Sequence, residues 1–291
     1  MKSAELLINT RSRFGGSGKI KEIIQELLEA DIEVSKIYKI TKNISFDEVI
    51  DEVLATKTKL LIVASGDGTL SSIVDKLAGT NIELGIIPMG TTNNLARSLE
   101  IPLDTQSAIN IIKSKKAKSI DLGRINGQYF TNVAGIGLSA RIAANVKHSH
   151  KKRWGRLAYA YTAMRSVYSQ KPFRITIKDP DNELSITLET RQFIVANGRF
   201  HSGKEIASDT NINNGKLVLF ALGGGSKRSL ILHTLDFYFG SRKKIVHASY
   251  FVGKSVEIST SSPQNIELDG EVRTKTPANI SVDTAAIRVR F

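Results

Sequence analysis

Residues 60–69, Leu-Leu-Ile-Val-Ala-Ser-Gly-Asp-Gly-Thr, constrain the fold of this chain more than any other stretch. An apolar run meets Ser65-Gly66-Asp67-Gly68-Thr69, and behind it Leu70, Ile73, Val74 and Leu77 recur at helical spacing. The pattern predicts a buried strand, a tight turn and a helix. Glycines let backbone N–H groups approach a ligand, and the N-terminus of a helix behind them favours an anion. Asp67 puts a carboxylate among those donors, which suits a cation, most often Mg²⁺, between it and a phosphate. The plainer alternative is a turn in which Asp67 caps the helix.

Strand–helix alternation surrounds this stretch through about residue 118. Residues 5–9 read as a strand, and Ile20, Ile23, Ile24, Leu27 and Leu28 form one helical face. Residues 34–40 read as a second strand. Ser45-Phe-Asp-Glu48 is a capping box that opens a helix bearing Val49, Ile50, Val53 and Leu54. Residues 83–89 form a further strand running into Gly90-Thr-Thr-Asn-Asn94, and 105–112 a short helix. Such alternation predicts a doubly wound parallel sheet, whose ligands sit at the carboxyl ends of its strands. Asn9, Asp67 and Gly90-Thr91-Thr92-Asn93 all lie just past predicted strand ends, so three loops can share one crevice. The glycine-rich segment 10–19 adds Arg11 and Arg13 as candidate phosphate contacts. It is not a Walker A loop, because Ile20 stands where Ser or Thr is required.

From residue 120 the texture changes. Strands are predicted at 119–123, 129–134, 173–178, 184–196, 216–222, 245–252, 255–259 and 265–268, separated by turn residues such as Asn126-Gly127 and Asn213-Asn-Gly215. This is the spacing of an antiparallel sandwich or barrel. Helical insertions are expected at 156–168 and 228–238. Gly135-Ile-Gly-Leu-Ser-Ala140 fits a dinucleotide fingerprint by pattern, but in a β-rich half it reads as a close-packed strand exit. The expected fold class is α/β plus all-β. Residues 1–120 form a doubly wound parallel-sheet nucleotide-binding domain, rejoined by 277–291, and 121–276 form an antiparallel β-sandwich substrate domain.

The chain has no cysteine, which excludes disulfides, zinc thiolates and a cysteine nucleophile. No stretch has the length of a membrane span and no signal-peptide pattern opens the chain, so a cytoplasmic location is expected. A net charge of +13 favours an anionic partner: nucleic acid, an acidic membrane or a phosphorylated small molecule. No nucleic-acid reader motif accompanies the charge. Lys147, Lys151, Lys152, Arg153 and Arg156 cluster around Trp154, just before Leu157-Ala-Tyr-Ala-Tyr161. That pairing of basic and interfacial aromatic residues suits docking on an anionic membrane surface. The alternative is a solvated helix entry with Trp154 turned inward. The five histidines are isolated or lie in the basic run, and none reads as catalytic.

Four motifs in order resemble the diacylglycerol kinase catalytic-domain family, which includes bacterial lipid kinases and has sphingosine and ceramide kinases as relatives. They are Asn9 with its Gly/Ser loop, Ser65-Gly-Asp-Gly-Thr69, Pro88-Met-Gly-Thr-Thr-Asn-Asn-Leu-Ala-Arg97, and Leu268-Asp-Gly-Glu271. Gly155-Arg-Leu-Ala-Tyr and Lys171-Pro-Phe-Arg are similar to the segment that opens the family's second domain. The resemblance implies transfer of the γ-phosphoryl group of ATP to a lipid hydroxyl, in phospholipid metabolism at the inner face of the membrane. It implies that Asp67 organises Mg²⁺, and that Asn9, Ser65, Gly66, Gly68, Thr69, Gly90, Thr91, Thr92 and Asn93 hold the nucleotide. Asp269 would be the general base, and Glu271 would support the metal or orient that base. An attacking alcohol needs a proton acceptor, and the transferring group needs cations and donors for its charge. Read alone, Asp269-Gly-Glu271 is a hairpin turn.

There are three departures from the family pattern. Ser65 replaces a glycine, Asn94 an aspartate, and Asn213-Asn214 stand where many relatives carry acidic ligands of a structural Mg²⁺. An NAD kinase-type phosphotransferase shares the Gly-Asp-Gly loop, but the Asn-Glu pair expected to hold the nicotinamide ribose soon after the strand-rich region begins is not found there. A catalytically silent nucleotide- or lipid-binding protein is the other alternative, and intact Asp67 and Asp269 weigh against it. A homodimer is left open.

Overall fold

The structure, a computed structural model, describes residues 2–10, 17–41, 46–56, 58–148, 165–166, 169–201, 204–205, 212–222 and 249–291. The chain divides into two compact units. The first comprises Met1–Leu122, Phe200–Glu205 and Asp283–Phe291, and the second Gly123–Arg199 and Ile206–Val282.

In the first unit β1 (Lys2–Asn9), α1 (Ser17–Glu29), β2 (Ile32–Ile40), α2 (Phe46–Ala55), β3 (Leu60–Ser65), α3 (Asp67–Leu77) and β4 (Glu83–Pro88) follow in turn. α4 (Asn94–Ser98) and α5 (Thr105–Ser114) come next. The strands lie in the order β2-β1-β3-β4, every neighbouring pair parallel. Leu6, Leu7 and Ile8 of β1 and Leu61, Ile62 and Val63 of β3 are wholly buried. Continuous apolar runs of this kind belong to strands covered on both faces. Ile20, Ile23 and Leu27 of α1 pack with Leu6, Ile8, Ile62 and Ala64, and with Ile109 and Ile112 of α5. Asp104 caps α5 by accepting the Ser107 N–H at 2.8 Å.

β4 is completed on its far side by the end of β18 (Ala278–Arg290), whose Arg288 and Val289 pair in parallel with Glu83 and Leu84. Glu83 takes the guanidinium groups of Arg290 at 2.5 Å and Arg288 at 3.1 Å. The first half of β18 belongs to the second unit. So does the end of β5 (Ala117–Ile125), which pairs with β6 (Gln128–Phe130).

The second unit continues with β7 (Val133–Gly137), α6 (Leu138–His148), β8 (Phe173–Asp179), β9 (Leu184–Thr190) and β10 (Gln192–Ala196). β11 (Phe200–His201) and β12 (Lys204–Glu205) form a short ribbon in the first unit. Then come β13 (Leu217–Leu222), β14 (Ser249–Gly253), β15 (Ser255–Thr260), β16 (Asn265–Leu268) and β17 (Glu271–Lys275). β9, β8, β15 and the start of β18 make one antiparallel sheet, and β14-β13-β10-β7-β16-β17 another. Phe173, Ile175, Ile177, Val256 and Ile258 of the first sheet share one core with Ile136, Phe193, Val195, Leu219, Ile266 and Leu268 of the second. Two sheets with their alternate residues turned inward are a β-sandwich. The expected fold class therefore holds: a parallel α/β unit and an antiparallel β unit.

Local details differ from the sequence pattern. The strand expected over 129–134 breaks after Phe130, and Thr131-Asn132 leave the ladder before β7 begins. The strand expected over 184–196 is two strands in different sheets, joined through Arg191. The change from alternating Leu184, Ile186, Leu188 to continuous Phe193-Ile-Val-Ala196 marks that corner, because β9 is half-exposed and β10 is buried on both faces. α6, β17 and β18 were not expected as elements. The Gly135–Ala140 pattern is a strand exit: β7 ends at Gly137, whose φ is 95°, and a Cβ there would collide with the Arg191 carbonyl oxygen. The expected helix over 228–238, most of that over 156–168, and Arg11, Arg13, Ser45, Lys151–Arg153 and Trp154 lie outside the described residues.

Candidate active site

In the first unit the exits of β1, β3 and β4 stand side by side, with Ile8 paired to Ala64 and Ser65 to Pro88. Two loops leave there, Gly66–Thr69 and Gly90–Asn94. α3 starts at Asp67, one residue after Gly66, which is its N-cap and makes no side-chain cap bond. Asp67 is thus the first helical residue and not the cap. Its carboxylate reaches across to the second loop, where Oδ2 accepts the Thr92 hydroxyl at 2.5 Å and Oδ1 the Asn94 N–H at 2.6 Å.

Asn9 joins the same ensemble by donating from Nδ2 to Thr69 Oγ1 at 2.7 Å. Asn93 is buried in the left-handed region, φ 47°, and its amide spans Gly90: Oδ1 accepts the Gly90 N–H at 2.9 Å, and Nδ2 donates to the Gly90 carbonyl at 3.1 Å. Arg97 Nε donates to the Thr92 carbonyl at 2.9 Å, and Thr91 is exposed. Ser65 is buried with no positive φ, so serine in place of glycine costs no backbone strain. Gly66 and Gly90 are needed for a different reason. A Cβ on Gly90 would lie 2.8 Å from Gly66 Cα and 2.7 Å from Asn93 Oδ1. The loops press backbone against backbone, while around Gly68 there is open space.

These residues fit a nucleotide phosphate and its cation. α3 presents first-turn N–H groups with no side-chain cap, beside a glycine that brings them to the surface. Among the described residues no group of three or more His, Asp or Glu side chains could hold a metal ion. Asp67 would share Mg²⁺ with phosphate oxygens, the sparse protein ligation that this ion commonly accepts.

In the second unit Asp269 and Gly270 connect β16 to β17 with φ of 49° and 93°, the two positive values of a type I′ hairpin. The hairpin reading is right about the backbone, and the side chain adds more. Asp269 Oδ2 accepts the Thr131 N–H at 2.8 Å and the Thr131 hydroxyl at 2.9 Å. Its Oδ1 accepts the N–H groups of Asn132 at 2.9 Å and Val133 at 3.1 Å. The Thr131-Asn132 break between β6 and β7 is the cradle of this carboxylate. Asn197 holds the cradle from behind, donating Nδ2 to the Thr131 carbonyl and its N–H to the Asn132 carbonyl, both at 2.9 Å. Glu271 opens β17 with its side chain 42% exposed, 3.8 Å from Arg273. Asn214 Oδ1 accepts the Lys216 N–H at 3.0 Å in an exposed turn.

The predicted residues therefore gather in two sets: Asn9, Asp67, Thr69, Gly90, Thr92 and Asn93 in the first unit, Asp269 and Glu271 in the second. Sequence reasoning missed Thr131, Asn132 and Glu267. The polar Thr131-Asn132 pair interrupting an apolar run was the available signal for the first two. Glu267 looks like an ordinary outward strand residue, yet it is 1% exposed. Burial pushes its carboxyl up to about 7, against the pull of the Gly270 N–H, and the nearby Asp269 charge adds to the rise.

Comparison with known proteins agrees with this geometry. Residues 3–125 match the diacylglycerol kinase catalytic domain, and 132–291 the YegS C-terminal NAD kinase beta sandwich-like domain. The chain is 30% identical over 276 residues to the diacylglycerol kinase of Bacillus subtilis (strain 168), covering 93% of this chain and 90% of that one. A crystal structure of a diacylglycerol kinase from Bacillus anthracis str. Sterne superposes with a TM-score of 0.77 at 23% identity, over 100% of this chain and 96% of the other. At that identity the match speaks for the fold. On these matches the chain belongs to the diacylglycerol kinase catalytic-domain family, in the two-part form of the bacterial lipid kinases.

Proposed function

We propose that the protein transfers the γ-phosphoryl group of ATP to the hydroxyl of a diacylglycerol-like lipid, with Mg²⁺, at the anionic inner face of the membrane. The observation that carries this reading is the Asp67 bridge. One carboxylate ties two glycine loops together at an uncapped helix N-terminus, at the carboxyl ends of parallel strands. No helix among the described residues is long and apolar enough to cross a membrane, so this reading has the enzyme dock at the lipid surface.

In this mechanism the N–H groups of α3 and of the two loops hold phosphate oxygens, and Asn9 and Thr69 fix the first loop against the nucleotide. Mg²⁺, when bound, supplies charge neutralisation on the phosphates. Asp269 accepts the proton of the lipid hydroxyl. Its two oxygens already take four donors, which fill the lone-pair sites of a carboxylate. The Thr131 hydroxyl is the side-chain donor among them, so it is the one that turns away to admit the substrate. Glu271, exposed beside the turn, orients this acceptor or supports the metal.

The sandwich-domain match to an NAD kinase-like family favours one second reading, with NAD as the acceptor. Incubation with labelled ATP, Mg²⁺ and a panel of lipids, with NAD included, separates the two. Label in a chloroform-soluble lipid supports the proposal. Label in NAD alone, or turnover undiminished in Asp67→Ala, rejects it.

A further inference from the structure

We infer that Glu267 is a positioning residue, which holds the Asp269–Glu271 turn from a buried pocket through the backbone N–H of Gly270. The inference rests on the kinase reading for the role of that turn, and on geometry for the hold itself. Ile266 and Leu268 of β16 point into the sandwich core, so Glu267 between them points to the opposite face, on the side where α6 packs. A carboxylate buried there costs free energy unless it is met by donors. It is met by the Gly270 N–H, which reaches Oε2 at 2.7 Å.

The surroundings are built for this group. Ser139, near the start of α6, is held by Gln192, which accepts the Ser139 N–H on Oε1 at 2.7 Å and donates from Nε2 to the Ser139 oxygen at 2.9 Å. Ser139 Oγ and Glu267 Oε1 both border the space above Gly135. Space for the carboxylate comes from Gly135, its cross-strand partner. A Cβ at Gly135 would lie 2.6 Å from Glu267 Oε1 and would collide with Ser139 Oγ. Packing alone would be served by an apolar side chain here, with no need for a glycine, a serine and a glutamine around it.

The bond falls where a two-residue hairpin needs help. The Gly270 N–H lies at the second central position of the turn, which has no ladder partner for it. Glu267 takes that N–H while the Thr131–Val133 cradle takes the Asp269 carboxylate, so the turn is fixed from two sides. Asp269 and Glu271 flank the gripped residue, and a shift of the peptide between them moves both side chains.

The test compares wild type with Glu267→Gln, which keeps an oxygen acceptor, and Glu267→Met, which keeps the length and removes it. Lipid phosphorylation by Glu267→Met is expected to lose about tenfold in kcat with KM for ATP unchanged, the size of one lost hydrogen bond. Glu267→Gln is expected to recover most of that loss. Amide hydrogen exchange at Gly270 is expected to be slow in wild type and Glu267→Gln and fast in Glu267→Met. Full kcat in Glu267→Met, or an equal loss in both variants, overturns the proposal. If Glu267→Met does not fold, the wild type still decides, because an unprotected Gly270 amide overturns the hold. If wild type labels no lipid, the kinase reading fails by itself, and exchange at Gly270 still tells whether Glu267 grips the turn.

Discussion

Replacing Asp269 by asparagine exchanges one oxygen for an NH2 group in a site where each carboxylate oxygen takes two donors. However the amide is turned, its NH2 faces at least one backbone N–H. The cheaper orientation points NH2 at Thr131, whose hydroxyl can rotate to accept. The Thr131 N–H, in a residue 2% exposed, then loses its acceptor, at a cost of about 1–3 kcal/mol. The bonds from Asn132 and Val133 persist but pass from a charged to a neutral acceptor, at roughly 0.5 kcal/mol each. The sum is about 3 kcal/mol, and at about 2–4 °C per kcal/mol the second unit should melt roughly 6–12 °C lower. Calorimetry of both proteins measures this directly. A variant melting within about 2 °C of wild type would refute the four-donor grip. Turnover carries separate information. If Asp269 accepts the lipid proton, kcat falls by about 10²–10⁴ while ATP still binds. Loss of ATP binding together with turnover would make the residue a nucleotide or metal ligand instead.

Gly90→Ala should raise KM for ATP by about tenfold, because the new Cβ drives the two loops apart at 2.8 Å from Gly66 Cα. An unchanged KM would show that the close approach does not shape the nucleotide site. Glu267→Gln should alter how stability depends on pH. With its folded-state value raised from 4.5 to about 7, Glu267 keeps a proton that the unfolded chain has already lost. Its stabilisation is complete below about 4.5 and disappears as pH rises through about 7, roughly 3 kcal/mol in all at about 1.4 kcal/mol per pH unit. The wild-type-minus-variant difference in urea stability should therefore shrink between pH 5 and 8, and a flat difference defeats the assignment. Removing the charges of Lys151, Lys152 and Arg153 should weaken binding to anionic liposomes, as should added salt. Equal binding to neutral and anionic vesicles would assign that basic run to solubility alone.

The α/β unit was legible because its signals are local. Leu6–Ile8 and Leu60–Ala64 are continuous apolar runs, as strands covered on both faces must be, and Gly66, Asp67 and Gly90 punctuate them where the loops begin. The β unit was less legible because its decisive contacts join distant residues. Nothing near Thr131 announces that it will cradle Asp269, 138 positions later. A glutamate alternating with Ile266 and Leu268 has the pattern of a solvated strand face, yet Glu267 lies on the side of β16 where α6 packs and is buried. α6 itself opens on Leu138-Ser-Ala140 inside the Gly135–Ala140 pattern, which reads as a strand exit with no helix behind it. Arg191 shows no local sign of the sheet change beyond the altered period on its two sides.

β18 has a consequence for how the protein is made. Its last residues lie beside β4, so the sheet of the first unit gains its final strand from a segment synthesised after the whole of the second unit. Until Arg288 and Val289 arrive, β4 presents an open row of backbone donors and acceptors, and Glu83 waits without its two arginines. An open edge of that kind is a template for pairing with another chain. A fragment ending near residue 122 would carry this edge permanently and should aggregate, whereas supplying 283–291 as a separate peptide should restore solubility. The half of the molecule that begins translation first is thus the half that closes last.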